Sequence, residues 1–404
     1  MRPPRILYVV SLYPCWSETF IAREIRALLE AGADVRLLSL KPPSEDLVHP
    51  EAEPLLPRVR HPPPPVTATL ARLRAVRAHR RALAEIAGLV GGGLAHHPID
   101  LAKSVVALGR GLDHLDWVRD FDPDVIHAHW ATFPSTVAWM LARLLDRPFG
   151  FTAHAHDIFV NDQLLGLKIE AAAFPVAISR YNVDWLAAHV TPRARQRMTV
   201  VHCGVDLPAW PFQPEGRDPD LIVAVGRLDP IKGFEVLIEA VATLARRGRA
   251  VRARIIGDGP LWPTLEGRVA ELGLGERISF SGAMSQVEVR AAVRAAAIVA
   301  LPCVVAPDGD RDGIPVSLME AMASGAPVVS TPISGIPELV GDGREGLLVQ
   351  PGDPAALARA LARLLDDAPL RRGLAEAARA KVEREFDAAA EARKLLALFS
   401  TAVR

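Results

Sequence analysis

Short apolar runs alternate with longer amphipathic stretches along almost the whole chain. We predict buried strands at these runs, and helices such as 18–31 and 134–145 between them. The predicted strands are 6–10, 35–40, 125–129, 149–153, 176–179, 199–201, 221–225, 252–256, 278–281, 298–301, 327–330 and 346–349. Strands that alternate with helices indicate parallel sheets with helices on both faces, which is an α/β fold.

The alternation falls into two series, separated by a proline-rich stretch at 207–219. We therefore predict two doubly wound domains, at 1–207 and 208–386, with a C-terminal helix at 387–404 that returns to the first domain. Ligands of such folds bind beyond the carboxyl ends of the strands. We expect two facing domains with the ligand in the cleft between them.

One region, from about 42 to 122, contains no predicted strand, and its part at about 60–120 is predicted to be a helical insertion. A helix with arginines at 72, 74, 77, 80 and 81 follows a run of prolines. At 100° per residue, Leu70, Leu73, Val76 and Leu83 fall on one face with the arginines around it. The pattern fits either a solvated surface helix or a helix that docks on anionic lipid at the membrane surface.

Composition narrows the function classes. The 404 residues include 47 basic and 47 acidic ones, so the net charge gives no reason to expect nucleic-acid binding. Cys15, Cys203 and Cys303 are far apart and form no CxxC pair, which argues against a disulfide framework or a thiolate zinc site. No stretch approaches the roughly 20 apolar residues that span a bilayer. We predict a cytoplasmic protein.

The most informative segment runs from Asp312 to Gly325 and opens a helix after a predicted strand. Gly313 permits a tight turn, and Pro315 suits the first helical turn. A helix N-terminus offers unpaired N–H groups and partial positive charge, which suit a diphosphate. The amide donors expected there belong to Ile314, Val316 and Ser317.

Two acids flank this helix start, Asp312 just before it and Glu320 about one turn inside it. Carboxylates are strong acceptors for vicinal hydroxyls, so one acid can contact a sugar and the other a ribose. The alternative is a capping acid followed by a surface glutamate.

A second strand-to-helix loop carries cations. Gly226 is followed by Arg227 and Lys232, which can neutralise a leaving diphosphate through a guanidinium fork and a mobile ammonium. The alternative is a pair of ordinary loop cations. A third turn, with Gly257 and Gly259, lets a nucleotide approach the backbone, although the full GxGxxG fingerprint is absent.

In order and spacing, these motifs resemble those of retaining glycosyltransferases of family 4, which have the GT-B fold of two Rossmann-like domains. The matching segments are 14–20 (PCWSETF), 151–157 (FTAHAHD), 177–179, 201–206, 226–228, 232–233, 257–260, 312–320 and 335–338. The Ser-Glu-Thr-Phe form is similar to that of bacterial exopolysaccharide enzymes, including colanic-acid-type members.

The resemblance implies roles for individual residues. Asp312 and Glu320 match the family's E-x7-E acids, the first on the donor sugar and the second on the ribose. Arg227 and Lys232 match the diphosphate-binding pair, and His154 matches the histidine beside the reacting sugar carbon. Further implied donor contacts are Gly226, Gly257, Gly259, Met284, Gly313, Ile314, Val316, Ser317 and Glu338, and implied acceptor contacts are Ser17, Glu18, His156 and Asp157.

The sequence departs from the family pattern at two places. Aspartate replaces glutamate at 312, which shortens the side chain by one methylene. Cys15-Trp16-Ser17 replaces the usual Gly-Gly of the first strand-to-helix loop.

The resemblance implies retaining transfer of a hexosyl group from a nucleotide-sugar in exopolysaccharide or other surface-glycan synthesis, without a cofactor or metal. The donor is a UDP-sugar or GDP-mannose, and the acceptor is a glycan, a lipid-linked oligosaccharide or a small molecule. Domain closure with a hinge near 207–219 is expected by analogy.

Two His-x-His pairs support a competing interpretation. His127 and His129, and His154 and His156 next to Asp157, each lie on one face of a predicted strand end. Four imidazoles and a carboxylate could bind zinc in a metal-dependent hydrolase. A nucleotide-sugar epimerase and a non-catalytic sugar-nucleotide binder are further alternatives.

Overall fold

The computed structural model describes residues 3–16, 18–43 and 50–403, with the side chains of Pro65 and Val66 left out. The chain divides into two compact units. The N-terminal unit comprises residues up to His202 together with those from Ala389 onward, and the C-terminal unit comprises Cys203–Ala388. Each unit contains its own parallel sheet, so the predicted fold of two Rossmann-like α/β domains, the GT-B class, is confirmed.

The N-terminal unit is built on a seven-stranded sheet with the order β3-β2-β1-β4-β5-β6-β7. Its strands are β1 Arg5–Val10, β2 Asp34–Ser39, β3 Val59–Arg60, β4 Val125–His129, β5 Phe149–Ala153, β6 Phe174–Ala177 and β7 Thr199–Val200. Neighbouring strands pair in parallel throughout. The central strands β4 and β5 are buried at every position, as both faces of the sheet are covered.

Helices cover this sheet on both faces. They are α1 Thr19–Glu30, α2 Pro65–Ala78, α3 Arg80–Gly93, α4 Pro98–Leu112, α5 Leu115–Phe121, α6 Phe133–Leu145, α7 His156–Phe159, α8 Leu165–Ala171, α9 Arg180–Ala187 and α10 Pro192–Arg197. A 3₁₀ helix spans Glu53–Arg58. One apolar core lies under α4 and α6, and a second lies under α1.

The insertion at about 60–120 is helical, as predicted, and comprises α2 to α5. The prediction that no strand occurs between 42 and 122 is wrong, because β3 pairs with β2 at the sheet edge. Its two residues, Val59 and Arg60, are too few to leave an alternating pattern in the sequence.

The helix α2 turns its small residues inward. Ala68 and Ala75 are buried, whereas Leu70, Leu73 and Val76 are 56%, 63% and 45% exposed. Arg72 fixes this orientation, since its guanidinium donates two hydrogen bonds of 3.0 and 2.7 Å to the carboxylate of Asp113. The leucines therefore share the solvent-facing side with the arginines.

The C-terminal unit contains a six-stranded parallel sheet with the order β10-β9-β8-β11-β12-β13. Its strands are β8 Asp218–Val225, β9 Arg252–Ile256, β10 Ile278–Phe280, β11 Ala296–Ala300, β12 Val328–Ser330 and β13 Leu347–Leu348. Its helices are α11 Phe234–Arg246, α12 Trp262–Glu271, α13 Gln286–Ala295, α14 Val316–Ser324, α15 Ile336–Leu339, α16 Pro354–Asp366 and α17 Ala368–Glu385, with 3₁₀ helices at Leu207–Ala209 and Pro230–Lys232. The strand order reverses between β8 and β11, the position at which such sheets bind ligands.

The proline-rich stretch at 207–219 packs within the C-terminal unit, and the unit boundary lies at 202/203. Trp210 is 2% exposed and belongs to the core of this unit. Arg217 donates hydrogen bonds of 2.8 Å to the carbonyl oxygens of Gln213 and Ser324 and one of 2.7 Å to that of Val293. These contacts anchor the stretch to α13 and α14.

The final helix, α18 Ala388–Ala402, packs in the N-terminal unit. Ala392, Leu395 and Phe399 are buried in the core beneath α1. The Phe399 ring lies 5.3 Å from the ring of His127 and 5.4 Å from that of Phe174. Among the described residues, no helix has the length and apolar character to cross a membrane.

Candidate active site

A cation and a carboxylate from two adjacent strand-end loops meet in the C-terminal unit. Lys232 ends the 3₁₀ helix that follows β8, and Asp312 lies in the loop after β11. The Lys232 ammonium is hydrogen-bonded to the Asp312 carboxylate, and the two side chains are 17% and 16% exposed. Since β8 and β11 flank the reversal of strand order, the sequence-predicted pair lies at the binding edge of the sheet.

The surroundings of this pair keep the lysine charged. Burial opposes protonation, but the nearby carboxylates of Asp312 and Asp229 outweigh it and raise the pKa of Lys232. The Cys303 thiol lies 3.8 Å from the Asp312 carboxylate, and burial raises the pKa of this thiol well above its usual range. The site therefore presents a fixed ammonium beside a neutral thiol.

Arg227 lies on the same loop as Lys232 but faces solvent. Its side chain is 62% exposed and its guanidinium contacts Asp229. The methylene chain of Lys232 runs over Gly226, because a Cβ there would meet the lysine side chain at 3.4 Å. The loop thus carries one anchored cation and one exposed cation, both available to an anionic ligand.

The segment before α14 is ordered by local hydrogen bonds. The amide of Gly313 donates to Asp312 Oδ1 at 3.1 Å, and the Ser317 hydroxyl donates to the carbonyl oxygen of Val225 at 2.9 Å. Ile314 is 5% exposed and packs into the core, and Val316 is the first helical residue after Pro315. The Ser317 bond ties the start of α14 to the end of β8, so the two predicted phosphate-binding segments are adjacent.

Glu320 lies inside α14 and is only 4% exposed. The alternative of a surface glutamate at this position is therefore wrong. Its apolar neighbours in this helix, Leu318, Met319 and Met322, are buried in the unit's core. Burying a carboxylate in such surroundings is costly unless hydrogen bonds or an opposite charge satisfy it.

The glycine turn after β9 packs against the Arg227 loop. A Cβ at Gly257, whose φ is +139°, would lie 2.0 Å from the carbonyl oxygen of Gly226, and one at Gly259 would lie 2.7 Å from the amide nitrogen of Leu228. The amide of Leu228 donates to the carbonyl oxygen of Asp258 at 2.9 Å. These glycines therefore allow the loops after β8 and β9 to pack closely against each other. Contact of either glycine with the nucleotide stays a prediction.

The two remaining donor residues lie at other strand ends of this sheet. Met284 follows β10, and its sulfur accepts a hydrogen bond of 3.6 Å from the Arg254 guanidinium. Glu338 lies in the four-residue helix α15 after β12 and is partly exposed. The contacts of both residues with the donor stay predictions.

A second cluster of polar side chains lies in the N-terminal unit, around His154. The Nε2 of His154 lies 3.0 Å from Nδ1 of His129, and Nε2 of His129 lies 3.1 Å from Oε1 of Glu24. The phenol of Tyr8 donates to the same Glu24 oxygen at 2.6 Å. Burial, and then the neighbouring His129, hold the pKa of His154 well below its usual range. His154 is therefore neutral near pH 7.

The second His-x-His pair is split by the fold. His156 begins α7 and is exposed, whereas Asp157 is fully buried. The Asp157 carboxylate accepts hydrogen bonds from the amides of Ala131 at 2.6 Å and His154 at 3.0 Å. In this position Asp157 braces the loop that presents His154.

Lys168 of α8 binds the same segment of backbone as Asp157. Its ammonium donates to the carbonyl oxygens of Ala131 and Thr132, and burial lowers its pKa to about 7 despite the opposing effect of Asp157.

Of the other predicted acceptor residues, Glu18 lies just before α1 and is partly exposed, and Ser17 lies outside the described residues.

The five-residue metal site considered from the sequence does not form among the described residues. The group that could hold an ion consists of Glu24, His127 and His129, whose ligand atoms lie within 4.8 Å of one another. It includes neither His154 nor Asp157. His127 Nε2 is hydrogen-bonded to Thr152 at 2.9 Å, and both His129 nitrogens have partners.

Sequence reasoning missed Glu24, Tyr8 and Lys168. Glu24 had a detectable signal, because it lies three residues after Ile21 and four before Leu28, on the apolar face of α1. A carboxylate at such a position requires a buried partner. Tyr8 and Lys168 left no comparable signal, since their partners come from distant parts of the chain.

Family models match a part of each half of the chain. A family model described as Glycosyl transferases group 1 matches residues 219–367, and one described as Glycosyltransferase Family 4 matches residues 97–208. The first match contains Lys232, Asp312 and Glu320, and the second contains His129 and His154.

Several curated proteins are similar to the chain. It is 38% identical to the putative colanic acid biosynthesis glycosyltransferase WcaL of Salmonella typhimurium over 56% of this chain and 51% of that protein. It is 43% identical to the amylovoran biosynthesis glycosyltransferase AmsK of Erwinia amylovora over 42% of each. The chain thus spans about half the length of these relatives or less. It is 30% identical to the D-inositol 3-phosphate glycosyltransferase of Corynebacterium efficiens over 75% of this chain and 77% of that protein.

Solved structures share the fold at low sequence identity. Anabaena Alr3699/HepE in complex with UDP-glucose matches with a TM-score of 0.70 and 18% identity, over 98% of this chain and 99% of that one.

Proposed function

Because this chain belongs to the family 4, group 1 glycosyltransferases, we propose that it transfers a hexosyl group from a nucleotide-sugar donor to an acceptor hydroxyl, with retention of configuration. The observation that carries the proposal is the Lys232–Asp312 pair at the reversal of strand order. A fixed ammonium at that edge suits the diphosphate of a nucleotide-sugar.

In the proposed complex the diphosphate lies at the start of α14, near Val316, with Lys232 and Arg227 around it. Charge develops on the leaving phosphate as the glycosidic bond breaks, and cations already in place stabilise it without reorganisation. The Asp312 carboxylate holds Lys232 in position and has lone pairs left for a sugar hydroxyl. Glu320 accepts the ribose hydroxyls. The reaction requires no metal in this scheme, because the two cations supply the positive charge.

The stereochemical proposal follows from what the leaving group can do. The acceptor hydroxyl attacks on the face that the phosphate vacates, and the departing phosphate accepts the hydroxyl proton. A hydrolase-like arrangement would instead need two carboxyl groups on opposite faces of the sugar. Asp312 is instead in an ion pair with Lys232, so we assign it to the donor site.

The names of the relatives support a role in exopolysaccharide synthesis, since WcaL and AmsK are named for colanic acid and amylovoran. The donor base and sugar are open between UDP-sugars and GDP-mannose. The UDP-glucose complex of HepE, a protein of the same fold, favours a UDP-sugar. The acceptor would be a glycan or a lipid-linked oligosaccharide.

A lipid-linked acceptor calls for a membrane contact, and α2 is the candidate surface. Leu70, Leu73 and Val76 are exposed beside Arg74 and Arg77. Apolar side chains can enter the headgroup region while long arginines reach anionic phosphates. We therefore place the protein at the cytoplasmic face of the membrane, with α2 against anionic lipid.

The test of the proposed function is product analysis with a panel of UDP-sugars, GDP-mannose and glycan acceptors. Acceptor-dependent release of nucleoside diphosphate, with a glycoside of the donor's anomeric configuration, is expected. Conversion of one nucleotide-sugar into another without acceptor would instead establish an epimerase, and binding without turnover would establish a sugar-nucleotide sensor. Hydrolysis that is lost on chelation would establish the metal-dependent alternative.

A further inference from the structure

We propose that Trp130 is a positioning residue for His154, whose imidazole it holds in one orientation at the carboxyl edge of the N-terminal sheet. Trp130 follows β4, one of the two strands that flank the reversal of strand order, and His154 follows the neighbouring strand β5. The centroids of the two rings are 4.4 Å apart, at an interplanar angle of 38°. The catalytic consequence of this contact rests on the proposed function, whereas the contact itself does not.

The backbone of His154 is fixed more firmly than its ring. Its amide donates to the Asp157 carboxylate at 3.0 Å, and its carbonyl oxygen accepts a hydrogen bond from the side-chain amide of Asn182. The outer torsion of a histidine side chain has broad minima, so these backbone bonds leave the ring free to rotate. The 3.0 Å contact of its Nε2 with His129 holds one corner of the ring. Packing on the ring faces therefore has to limit the rotation.

Aromatic rings supply this packing. The ring centroid of Phe20, in α1, lies 5.0 Å from that of His154, and the centroid of His129 lies 5.3 Å away. Trp130 is nearer than either, and an indole has a larger face than a phenyl or imidazole ring. Contacts between rings at such distances add to the stabilisation that burial gives. Trp130 thus contributes the closest ring face to the packing of His154.

The backbone of Trp130 has a conformation that is unfavourable for tryptophan. Its φ is +75°, in the left-handed region where glycine, asparagine or aspartate is usual. Hydrogen bonds on either side impose this conformation, because the amide of Trp130 donates to the carbonyl oxygen of Thr152 at 3.0 Å and the amide of Ala131 donates to Asp157 at 2.6 Å. Strain of this kind persists where surrounding contacts over-determine it, and it clusters at functional sites.

The indole N–H of Trp130 is a second unfavourable feature. It is buried, and it has no hydrogen-bond acceptor within residues 3–16, 18–43 and 50–403. A buried donor without an acceptor destabilises a folded protein. Glycine at this position would remove both the strain and the unpaired donor. The feature that only an aromatic residue supplies is the ring face against His154, and this points to a role in the reaction.

The first experiment measures the mobility of the His154 ring in the full chain with ¹³C-labelled histidine, at one fixed pH. The His154 signal is assigned by its loss in His154→Asn. We expect the order parameter of the His154 Cε1–H bond to fall in Trp130→Ala and Trp130→Gly, because the ring loses its closest neighbour. It should stay close to that of the unsubstituted chain in Trp130→Phe, which keeps an aromatic face.

The matched control is Trp117→Ala in α5. Trp117 is also partly buried and packs against a histidine, with its ring centroid 6.5 Å from that of His114. Its loss should leave the order parameter of His154 and the rate of transfer unchanged.

Comparison of the alanine and glycine variants separates the backbone from the ring. Both lack the indole, but only glycine adopts a φ of +75° without strain. We therefore expect Trp130→Gly to unfold at a temperature roughly 2–4 °C higher than Trp130→Ala. Thermal unfolding followed by circular dichroism measures the difference.

Activity supplies a third readout. Trp130→Ala and Trp130→Gly should lower kcat by a similar factor, roughly 10- to 100-fold, while KM for the donor changes little, because a misplaced group beside the reacting carbon mainly affects the chemical step. Trp130→Phe should recover most of the loss. If Trp130 served stability alone, the loss of activity would instead follow the unfolding temperature.

Three results would overturn the proposal. They are an unchanged His154 order parameter in a folded Trp130→Ala variant, equal unfolding temperatures of the alanine and glycine variants, and normal kcat in Trp130→Gly. Because ring mobility and unfolding need no substrate, an absence of transfer by the unsubstituted chain would count against the proposed function and leave the positioning of His154 by Trp130 standing.

Discussion

At the residue scale, the site depends on a few charged side chains that the fold holds away from bulk water. Lys232 and Asp312 are 80 positions apart in the sequence, yet they form one ion pair. Partial burial makes the loss of either partner costly, because the remaining charge is then left unpaired. Glu320, buried among apolar side chains of α14, is a second such group.

Replacement of these residues should affect the reaction more than the fold. We predict that Lys232→Ala and Glu320→Ala each lower transfer at least ~100-fold, since each removes preorganised stabilisation of the donor. Steady-state rates with the best donor of the panel measure the effect, and thermal unfolding checks the fold. Lys103→Ala and Glu266→Ala, at exposed helical positions, are the matched controls.

A double variant separates two roles of Lys232. If the lysine served only to neutralise Asp312, then Lys232→Ala combined with Asp312→Asn would be as active as Asp312→Asn alone. We expect the double variant to be less active than Asp312→Asn, because the diphosphate also loses its cation. Near-normal rates in both Lys232→Ala and Glu320→Ala would eliminate this site as the donor site.

At the element scale, short loops at the strand ends place these groups, and glycines allow the loops to approach one another. Gly257 and Gly259 lie against the backbone of 226–228, and Ser317 connects α14 to β8. The position of Arg227 therefore depends on a turn that follows a different strand.

We predict that Gly257→Ala weakens nucleotide binding through this contact. The new Cβ would lie 2.0 Å from the carbonyl oxygen of Gly226, so the Arg227 loop must move. A displacement of about 1 Å can cost on the order of 100-fold in activity, and we expect at least about 10-fold in affinity. Calorimetric titration with UDP and GDP measures it.

Gly267→Ala in α12 is the control for this change. A Cβ there meets nothing within 4 Å, so it should leave nucleotide affinity unchanged and stabilise the helix by up to about 1 kcal/mol. Equal nucleotide affinity in the two variants would show that the loop contact does not position Arg227.

The helix α2 permits a separate prediction. Replacing Arg74 and Arg77 of α2, together with Arg81 at the start of α3, with glutamine should weaken binding to vesicles with anionic lipid by roughly 10- to 100-fold, since each basic side chain near such a surface contributes about 1 kcal/mol. Cosedimentation with neutral vesicles and with vesicles of about one-third phosphatidylglycerol measures it. The control replaces the exposed Arg247, Arg344 and Arg359 of the C-terminal unit, with the same change in charge. Vesicle binding that is the same in both triple variants would contradict the docking surface.

At the scale of the whole molecule, the chain builds two sheets and then returns to the first with its last helix. Phe399 packs in the core of the N-terminal unit beside His127 and Phe174. The last helix of the chain therefore contributes to the same core as its first strand and helix. The stability of the N-terminal unit therefore depends on residues that follow the whole C-terminal unit.

We predict that Phe399→Ala destabilises the N-terminal unit by about 3–5 kcal/mol, as expected for a buried aromatic side chain. Amide hydrogen exchange should show faster exchange in peptides from β1 and β4, with those from β8 and β9 little changed. Val403→Ala, at a site that is 48% exposed, is the control. Equal loss of protection in both sheets would show that the two units unfold together.

Local pattern predicted most of the elements correctly. Each predicted strand has a counterpart within a few residues, because a buried parallel strand requires a continuous apolar run and such runs stand out between amphipathic helices. The two-residue strand β3 was missed, since so short an element leaves no periodicity. The sequence also did not reveal that the leucines of α2 face solvent, because the packing of its alanines and the Arg72–Asp113 pair decide which side of the helix faces inward.

By itself, the sequence determined the α/β class, the two Rossmann-like units and the segments that carry the family's motifs. These depend on short-range patterns, in which apolar periodicity and glycine turns act over a few residues. Only the tertiary structure decided which distant side chains meet, such as Lys232 with Asp312 and Glu24 with His129. Pairings of that kind depend on strand order, and strand order is set by the packing of the whole sheet rather than by any local pattern.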